Sequence, residues 1–414
     1  DTLYNHIIAD LKIAEDLVPW RNEVAGIGDQ VDERLTKGAI KGLRARIALY
    51  RGGYSLRSNG SMQRSADYLT YYQIAKDECA DIMASGQHNL NASYKGLWKD
   101  QVNAHAVADP DGELMFQASA IGLTGAEDTK LGYYNGPTVN NLGNKSINVL
   151  PTYFYLFDST DTRRDVTCAA YNVAANGSIK TGQAITAICD GKYRRDWVTN
   201  PVISPTNAVQ YLGLKWQILR YADVMLMYAE AENELNGPTA TAYDAVNKIR
   251  RRGYGKPINT PDVTVDLPAG LSKSQFFDAV VKERSLELGG EGVRKFDLIR
   301  WNLLASRIAA TKAALLAMST SSAPYNNLPT SMYYITNTTS DNNNMGGLWF
   351  NSLYKAAPGS TPTGTTKVVW VSAAINTTAL SRYATGFTTG KSELLPIPQP
   401  ARDANANLTQ NPGY

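Results

Sequence analysis

Helical spacing broken by sharp stops constrains this chain more than any other feature of its sequence. Between residues 221 and 235 apolar side chains recur at helical intervals, and Asn236-Gly237-Pro238 then ends the run. Ala242, Ala245, Val246 and Ile249 restart the pattern and predict a partner helix closing near Gly253. An earlier pair is expected where Thr36 can cap a helix carrying Ile40, Leu43, Ile47 and Tyr50. Small residues on that helix (Ala39, Gly42, Ala45, Ala48) allow a neighbour to approach closely. Its partner spans residues 68–84, with Tyr71 or Tyr72, Ala75, Cys79, Ile82 and Met83 inward, and ends at Gly86. Ser272 and Gln275 have capping-box spacing ahead of a third helical run through Leu288, broken by Gly289-Gly290-Glu291-Gly292.

The fold class these pairs predict is mostly α, built from tetratricopeptide-like hairpins. A loop-rich, partly β region should sit on them and form the ligand face. Residues 1–90 read as a helical hairpin region, 91–210 as the loop-rich face, and 211–414 as a C-terminal region. Within the last, 319–390 is dominated by Ser, Thr, Asn, Gly and Tyr and predicts a long polar surface excursion. Residues 166–173 and 184–189 predict a hairpin around Asn176-Gly177. The first helix, 3–18, has an apolar stripe of Leu3, Ile7, Leu11, Ala14 and Val18 with no evident partner nearby. That stripe is expected to need residues ahead of Asp1 for its cover.

Composition removes several function classes. Lys+Arg 41 against Asp+Glu 38 leaves a net charge of +3, too near balance for a dedicated nucleic-acid surface. With 43% apolar and 19% charged residues, general disorder is excluded. Apolar runs such as 224–228 are too short to cross a bilayer. The three histidines are far apart and neither HExxH nor CxxC occurs, so no metal site is expected. GxSxG, P-loop and GxGxxG signatures are missing as well, and no cofactor is implied. Tyr 24 against Phe 8, with Trp 7, is the telling imbalance. Tyrosine and tryptophan suit surfaces where rings meet solvent or ligand.

Glu283, Glu287, Glu291 and Asp297, with Arg284, Arg294 and Arg300, form the densest charge cluster. Two of these carboxylates could serve a glycosidase as acid and base. The plainer reading is structural: Glu283 and Glu287, four apart on one helix face, pair with arginines from the next helix. The oxygen-rich stretches 109–113 and 341–344 lack EF-hand spacing and read as solvated turns.

The run 220–231, Arg-Tyr-Ala-Asp-Val-Met-Leu-Met-Tyr-Ala-Glu-Ala, resembles the "RYADVLLMYAEA" helix of the SusD/RagB family, with Arg220, Tyr221, Asp223 and Glu230 at its marked positions. Asn247 through Arg252 is similar to the family's "N.IR.R" stretch. Glu283, Arg284, Glu287, Glu291, Arg294, Asp297, Arg300 and Trp301 fall on its "ER..E...EG.R.FDLIRW" pattern, and 396–398 with 410–414 on "PIP…QNPGY". Weaker likeness reaches 151–164 and 4–11.

The resemblance implies a cell-surface protein that binds glycan, oligosaccharide or peptide nutrients without cleaving them. It further implies an outer-membrane lipid anchor on the extracellular face, through a cysteine ahead of this sequence, and docking on a SusC-type TonB-dependent transporter. The matched Arg and Glu residues would then be scaffold. Two other classes stay open, a helical carbohydrate-active enzyme using Glu283 and Glu287, and a protein-binding helical-repeat scaffold.

Ligand contacts are expected where aromatic and amide side chains lie outside the helical pairs. Tyr133, Tyr134, Asn135 and Asn140, flanked by glycines, fit best; Tyr333, Tyr334 and Trp349 are the second choice. Cys168 and Cys189 flank Asn176-Gly177 at similar distances, and a disulfide between them is expected if the hairpin register aligns them. Cys79 should remain a buried thiol.

Overall fold

The structure, a computed structural model, describes the chain except for residues 29–30, 33, 107, 121–128, 175–178, 201, 336–346, 372–374 and 376–381. Helices α1 (Thr2–Glu15), α2 (Lys37–Gly52), α3 (Tyr68–Ala84), α4 (Tyr221–Asn236), α5 (Ala240–Gly253) and α6 (Lys273–Glu287) build its main scaffold. α2 packs on α1 and α3, α3 packs on α4, and α4 packs on α5 and α6. The two predicted hairpins are therefore stacked through α3 and α4, and the mostly helical fold class holds. Thr36 caps α2 by accepting from the Ala39 amide, and Ser272 and Gln275 form a reciprocal capping box on α6. α4 stops at Gly237, whose φ of +84° suits glycine. Gly42 lets α2 seat against Leu219 and Val224, which a β-carbon there would strike.

Short antiparallel pairs carry the rest: β1 (Ser55–Leu56) with β2 (Met62–Gln63), β3 (Leu114–Ala118) with β8 (Trp216–Arg220), and β4 (Cys168–Ala169) with β7 (Cys189–Asp190). β5 (Tyr171–Val173) pairs with β6 (Lys180–Gly182), and β9 (Ser331–Ile335) with β10 (Thr365–Val369). The expected hairpin is thus split into two ladders, β4·β7 and β5·β6; its turn, Asn176-Gly177, lies outside the described residues. After α6 come α7 (Arg294–Arg300) and α8 (Leu304–Ser319).

The described residues do not fully cover the stripe of α1: the helix buries Ile8 and Glu15, and Leu3 stands 71% exposed. Three other sequence expectations are corrected by packing. The tract 319–390 is more than a surface excursion: Met332, Leu348, Trp349, Trp370 and Val371 are fully buried in one apolar cluster with Phe154, Phe157, Leu286 and Met318. That cluster joins residues from the middle and C-terminal regions. Tyr333, Tyr334 and Trp349 are consequently wall and core, buried to 3%, 9% and 0% exposure, and offer no ring to a ligand. Composition hid this, because a polar average conceals a few large aromatics.

The disulfide is the third correction. Cys168 lies opposite Asp190, and Cys189 opposite Ala169. Register is therefore one residue off, and successive side chains on a strand point to opposite faces. All three cysteines are buried free thiols, as expected for Cys79.

Candidate functional site

Helices α5 and α6, strand β8 and the segments around Glu113, Asp161, Lys192 and Glu291 converge on a buried charge lattice that fixes the loop region to the scaffold. Glu287, at the end of α6, is its centre. Arg252 of α5 donates to Glu287 Oε1 at 2.5 Å, Arg220 of β8 to the same oxygen at 3.1 Å, and Arg163 to Oε2 at 3.3 Å. Each guanidinium has a second anchor. Arg220 and Arg252 share Glu113, both at 2.6 Å, while Arg163 holds Glu283 at 2.6 Å and forks onto Asp161. Glu291 takes Arg220 at 2.8 Å and the Lys192 ammonium at 2.5 Å. Arg250 completes the pairing of Glu283 at 3.1 Å. Five carboxylates (Asp161, Glu113, Glu283, Glu287, Glu291) thereby face five cations (Arg163, Lys192, Arg220, Arg250, Arg252).

A second lattice lies along the helices. Arg284 bonds Asp223 at 2.6 Å and Asp297 at 2.8 Å, Arg46 also reaches Asp223, and Arg300 joins Asp297 to Glu230. The Trp301 indole N–H donates to Glu230 at 2.8 Å. Tyr221 stacks beside His88 and is not part of either set. One expectation fails here: arginines of the next helix do not pair with Glu283 and Glu287. Arg300 serves Asp297 and Glu230, and Arg294 bonds the Val281 carbonyl, its guanidinium lowered to about 10 by burial.

Sequence reasoning missed Glu113, Lys192 and Arg46 and gave Arg163 and Arg252 no role. The usable signal was Arg163, Arg220 and Arg252, each placed inside a recognisable motif. Glu113 and Asp109 also dispose of the calcium reading of 109–113, since Glu113 is committed to arginines and Asp109 accepts the Asp111 and Leu114 amides. The other candidate, 341–344, lies outside the described residues.

These carboxylates are poor material for catalysis. Burial would raise the Glu287 pKa, but Arg252, Arg220 and Arg163 override it and hold the group at about 2. A general acid needs the opposite shift. For Asp223, burial is likewise overridden, by Arg284 and Arg46, and the pKa falls well below the usual range. Depressed carboxylates contribute stability that is present above their unfolded pKa and is lost as pH falls through the folded one. The shift of Glu287 from 4.5 to about 2 corresponds to about 3 kcal/mol. Asp109 works the other way: burial lifts it to about 6, so its contribution is lost as pH rises through that value. Denaturant midpoints measured against pH should therefore peak between about pH 4 and 6 and fall steeply from about pH 4.5 towards 2. A flat acid limb would contradict the assignment.

The loop 131–149 is clamped to the segment 188–194 and presents the candidate face. Gly132 and Gly136, both at φ +75°, seat its first turn: a β-carbon at Gly132 would press on Leu212 and Leu214, and one at Gly136 would strike the Tyr193 carbonyl. Between these anchors Tyr133 is half-buried and Tyr134 is 41% exposed, their rings 5.1 Å apart and edge-to-face. Asn135 turns inward, donating to Asp190 Oδ2 at 2.9 Å, so it anchors the loop rather than offering an amide to ligand. Asn140 and Asn141 have φ +50° and +63°, and Val139 and Leu142 exchange both main-chain hydrogen bonds around them. This is a tight hairpin turn that asparagine tolerates, and it explains the pair as turn formers. The returning half of the loop bonds back onto the aromatic pair: the Asn144 amide donates to the Tyr133 carbonyl at 2.7 Å and the Ser146 amide to that of Tyr134 at 2.8 Å.

Of the predicted ligand residues the structure thus keeps Tyr133 and Tyr134 together at an open face, leaves Asn140 half-exposed beside them, and removes Asn135, Tyr333, Tyr334 and Trp349. An open loop suits a long polymer better than an enclosed molecule. A cavity of about 480 Å³ lies elsewhere, among Met83, Leu90, Tyr221, Met225, Lys256 and Ile258. Among the described residues no helix is long and apolar enough to cross a membrane.

Comparison with known proteins agrees with this architecture. The chain is similar over its whole length to the crystal structure of a SusD homolog from Bacteroides thetaiotaomicron, with a TM-score of 0.68 and 25% identity, covering 70% of that chain. It shares its fold with surface glycan-binding protein A of Bacteroides uniformis (TM-score 0.56, 19% identity, 99% of this chain and 68% of that one). Among curated proteins, a SusD-like protein of Formosa agariphila is 38% identical over 108 residues, which is 26% of this chain and only 19% of that relative's length. The family model described as "SusD family" matches residues 139–414, two thirds of the sequence, and so includes α4 to α8, most of the lattice and the returning half of the loop. The chain belongs to the SusD family.

Proposed function

We propose that this protein binds glycans at the cell surface through the loop 131–149 and passes them to a TonB-dependent outer-membrane transporter of the SusC type. A lipid-anchored position on the outer face of that membrane goes with this reading. Family membership supports it, as do fold neighbours named for glycan or laminarin binding. The observation that carries it is Tyr134, an exposed ring on a loop whose two ends are locked to the scaffold. A flat ring can stack on the CH face of a sugar, and Tyr133 holds it edge-on without covering it. Preorganisation of this kind lowers the entropy lost on binding.

Glycan arrays and calorimetry test the reading with a Tyr133→Ala/Tyr134→Ala variant. Affinity should fall at least about tenfold, or about 1.4 kcal/mol, while the melting temperature changes little. Unchanged affinity would move the site elsewhere. Delivery is checked separately, by co-purification of the tagged protein with a transporter from native membranes.

A further inference from the structure

The loop that carries Tyr134 also carries a cation with no counter-ion among the described residues. Lys145, on left-handed backbone at φ +50°, lies between Asn144 and Ser146, the two residues whose amides clamp Tyr133 and Tyr134. Its ammonium is half-buried and is held by two amide oxygens, Asn172 Oδ1 at 3.3 Å and Gln183 Oε1 at 3.2 Å. No carboxylate is within ion-pairing distance of it among the described residues. The titratable group near it is the Cys189 thiol, which burial pushes up to about 12, so it supplies no negative charge at neutral pH. Asn172 belongs to β5 and Gln183 directly follows β6, so a fixed ladder presents both oxygens.

This arrangement differs from that of the lattice cations and is closer to that of Arg195, which the Val209 and Asn207 carbonyls hold. The lattice arginines and Lys192 are each matched by carboxylates, and exposed lysines such as Lys248 pair with a neighbour, here Asp244 at 2.8 Å. Amide oxygens orient an ammonium and satisfy two of its three protons, but they do not neutralise it. A partly desolvated, oriented cation on the loop that carries the exposed Tyr134 ring, with no ion-pair partner among the described residues, is a site for an anion, and charge-assisted hydrogen bonds are the stronger kind.

We propose that Lys145, oriented by Asn172 and Gln183, recognises an anionic substituent of the glycan, the carboxylate of a uronic acid or a sulfate ester, next to the sugar stacked on Tyr134. This rests on the glycan reading above and narrows its ligand class to acidic polysaccharides. A partly buried charged hydrogen bond of this kind corresponds to about ten- to a hundredfold in affinity.

The test compares oligogalacturonate, a sulfated galactan oligosaccharide and neutral galactan and glucan oligosaccharides, by calorimetry at low and high salt. Wild type should bind one acidic probe at least about tenfold tighter than the neutral ones, with the advantage reduced by salt. Which acidic probe binds tells carboxylate from sulfate. Lys145→Gln should erase the advantage while leaving neutral binding and melting temperature unchanged, and Lys145→Arg should restore most of it. Equal binding of acidic and neutral probes, or a Lys145→Gln variant that keeps the acidic preference, would overturn the proposal and leave glycan binding standing. Failure of every probe to bind would overturn the glycan reading itself.

Discussion

Glu287→Ala is expected to leave little folded protein. The carboxylate lies at 0% exposure among three guanidiniums that keep their charge. Removing one member of such a buried set costs about 3–5 kcal/mol, because its partners stay buried without compensation. Total stability of a domain is about 5–15 kcal/mol, so the loss is a large share. The lattice also changes from balance to an excess of one positive charge, and Arg163 is left with Asp161 and Glu283, Arg220 with Glu113 and Glu291, and Arg252 with Glu113. Glu287→Gln should be milder, since it keeps the shape and one acceptor. Asp244→Ala, which removes an exposed pair with Lys248, is the control and should cost less than about 1 kcal/mol. Denaturant unfolding orders the three; a near-silent Glu287→Ala would mean that water reaches the lattice. A glycosidase reading predicts a stable, inactive Glu287→Gln protein, a different result.

Trp349→Ala should be nearly as damaging. The ring is fully buried, edge-on to Trp370 at 5.1 Å and Tyr334 at 6.3 Å, and pressed so closely on Gly182 that a β-carbon there would come within 2.5 Å of it. Emptying that volume costs about 3–5 kcal/mol, since the neighbours relax only partly. Its indole N–H has no acceptor among the described residues, so Trp349→Phe should recover much of the loss by removing a buried unpaired donor. Unfolding midpoints check both. Loss of glycan binding at full stability would instead return Trp349 to the ligand face.

The sequence and the structure agree most where information is local. Periodicity, the Thr36 cap, the Ser272–Gln275 box and the Gly237 stop each report on neighbouring residues, and all of them hold. Pairings between remote segments were not legible. β3 meets β8 across about a hundred residues, and strands two to five residues long have too little pattern to declare a partner. Glu113 looked like part of a solvated turn because its arginines come from β8 and α5. At the candidate site, Tyr133 and Tyr134 were found by chemistry and by the flanking glycines. Asn140 was chosen for its amide, whereas the backbone of the turn explains it. Lys145 carried no sequence signal, since only the fold shows that its ammonium rests on Asn172 and Gln183.

The lattice also sets an order of events during synthesis. Glu113 waits 139 residues for Arg252, and Arg163 waits 124 residues for Glu287. At roughly 5–20 residues per second, the ribosome takes of the order of ten seconds to supply those partners. Through that interval the middle segment carries Arg163, Lys192 and Arg220 with Glu291, Glu287 and Glu283 still unmade. The stacked helices α2 and α3 have local contacts and can pair early, whereas distant pairings are slow to form. A chain stopped before residue 283 would therefore hold Arg163, Lys192 and Arg220 without the Glu283, Glu287 and Glu291 that pair with them.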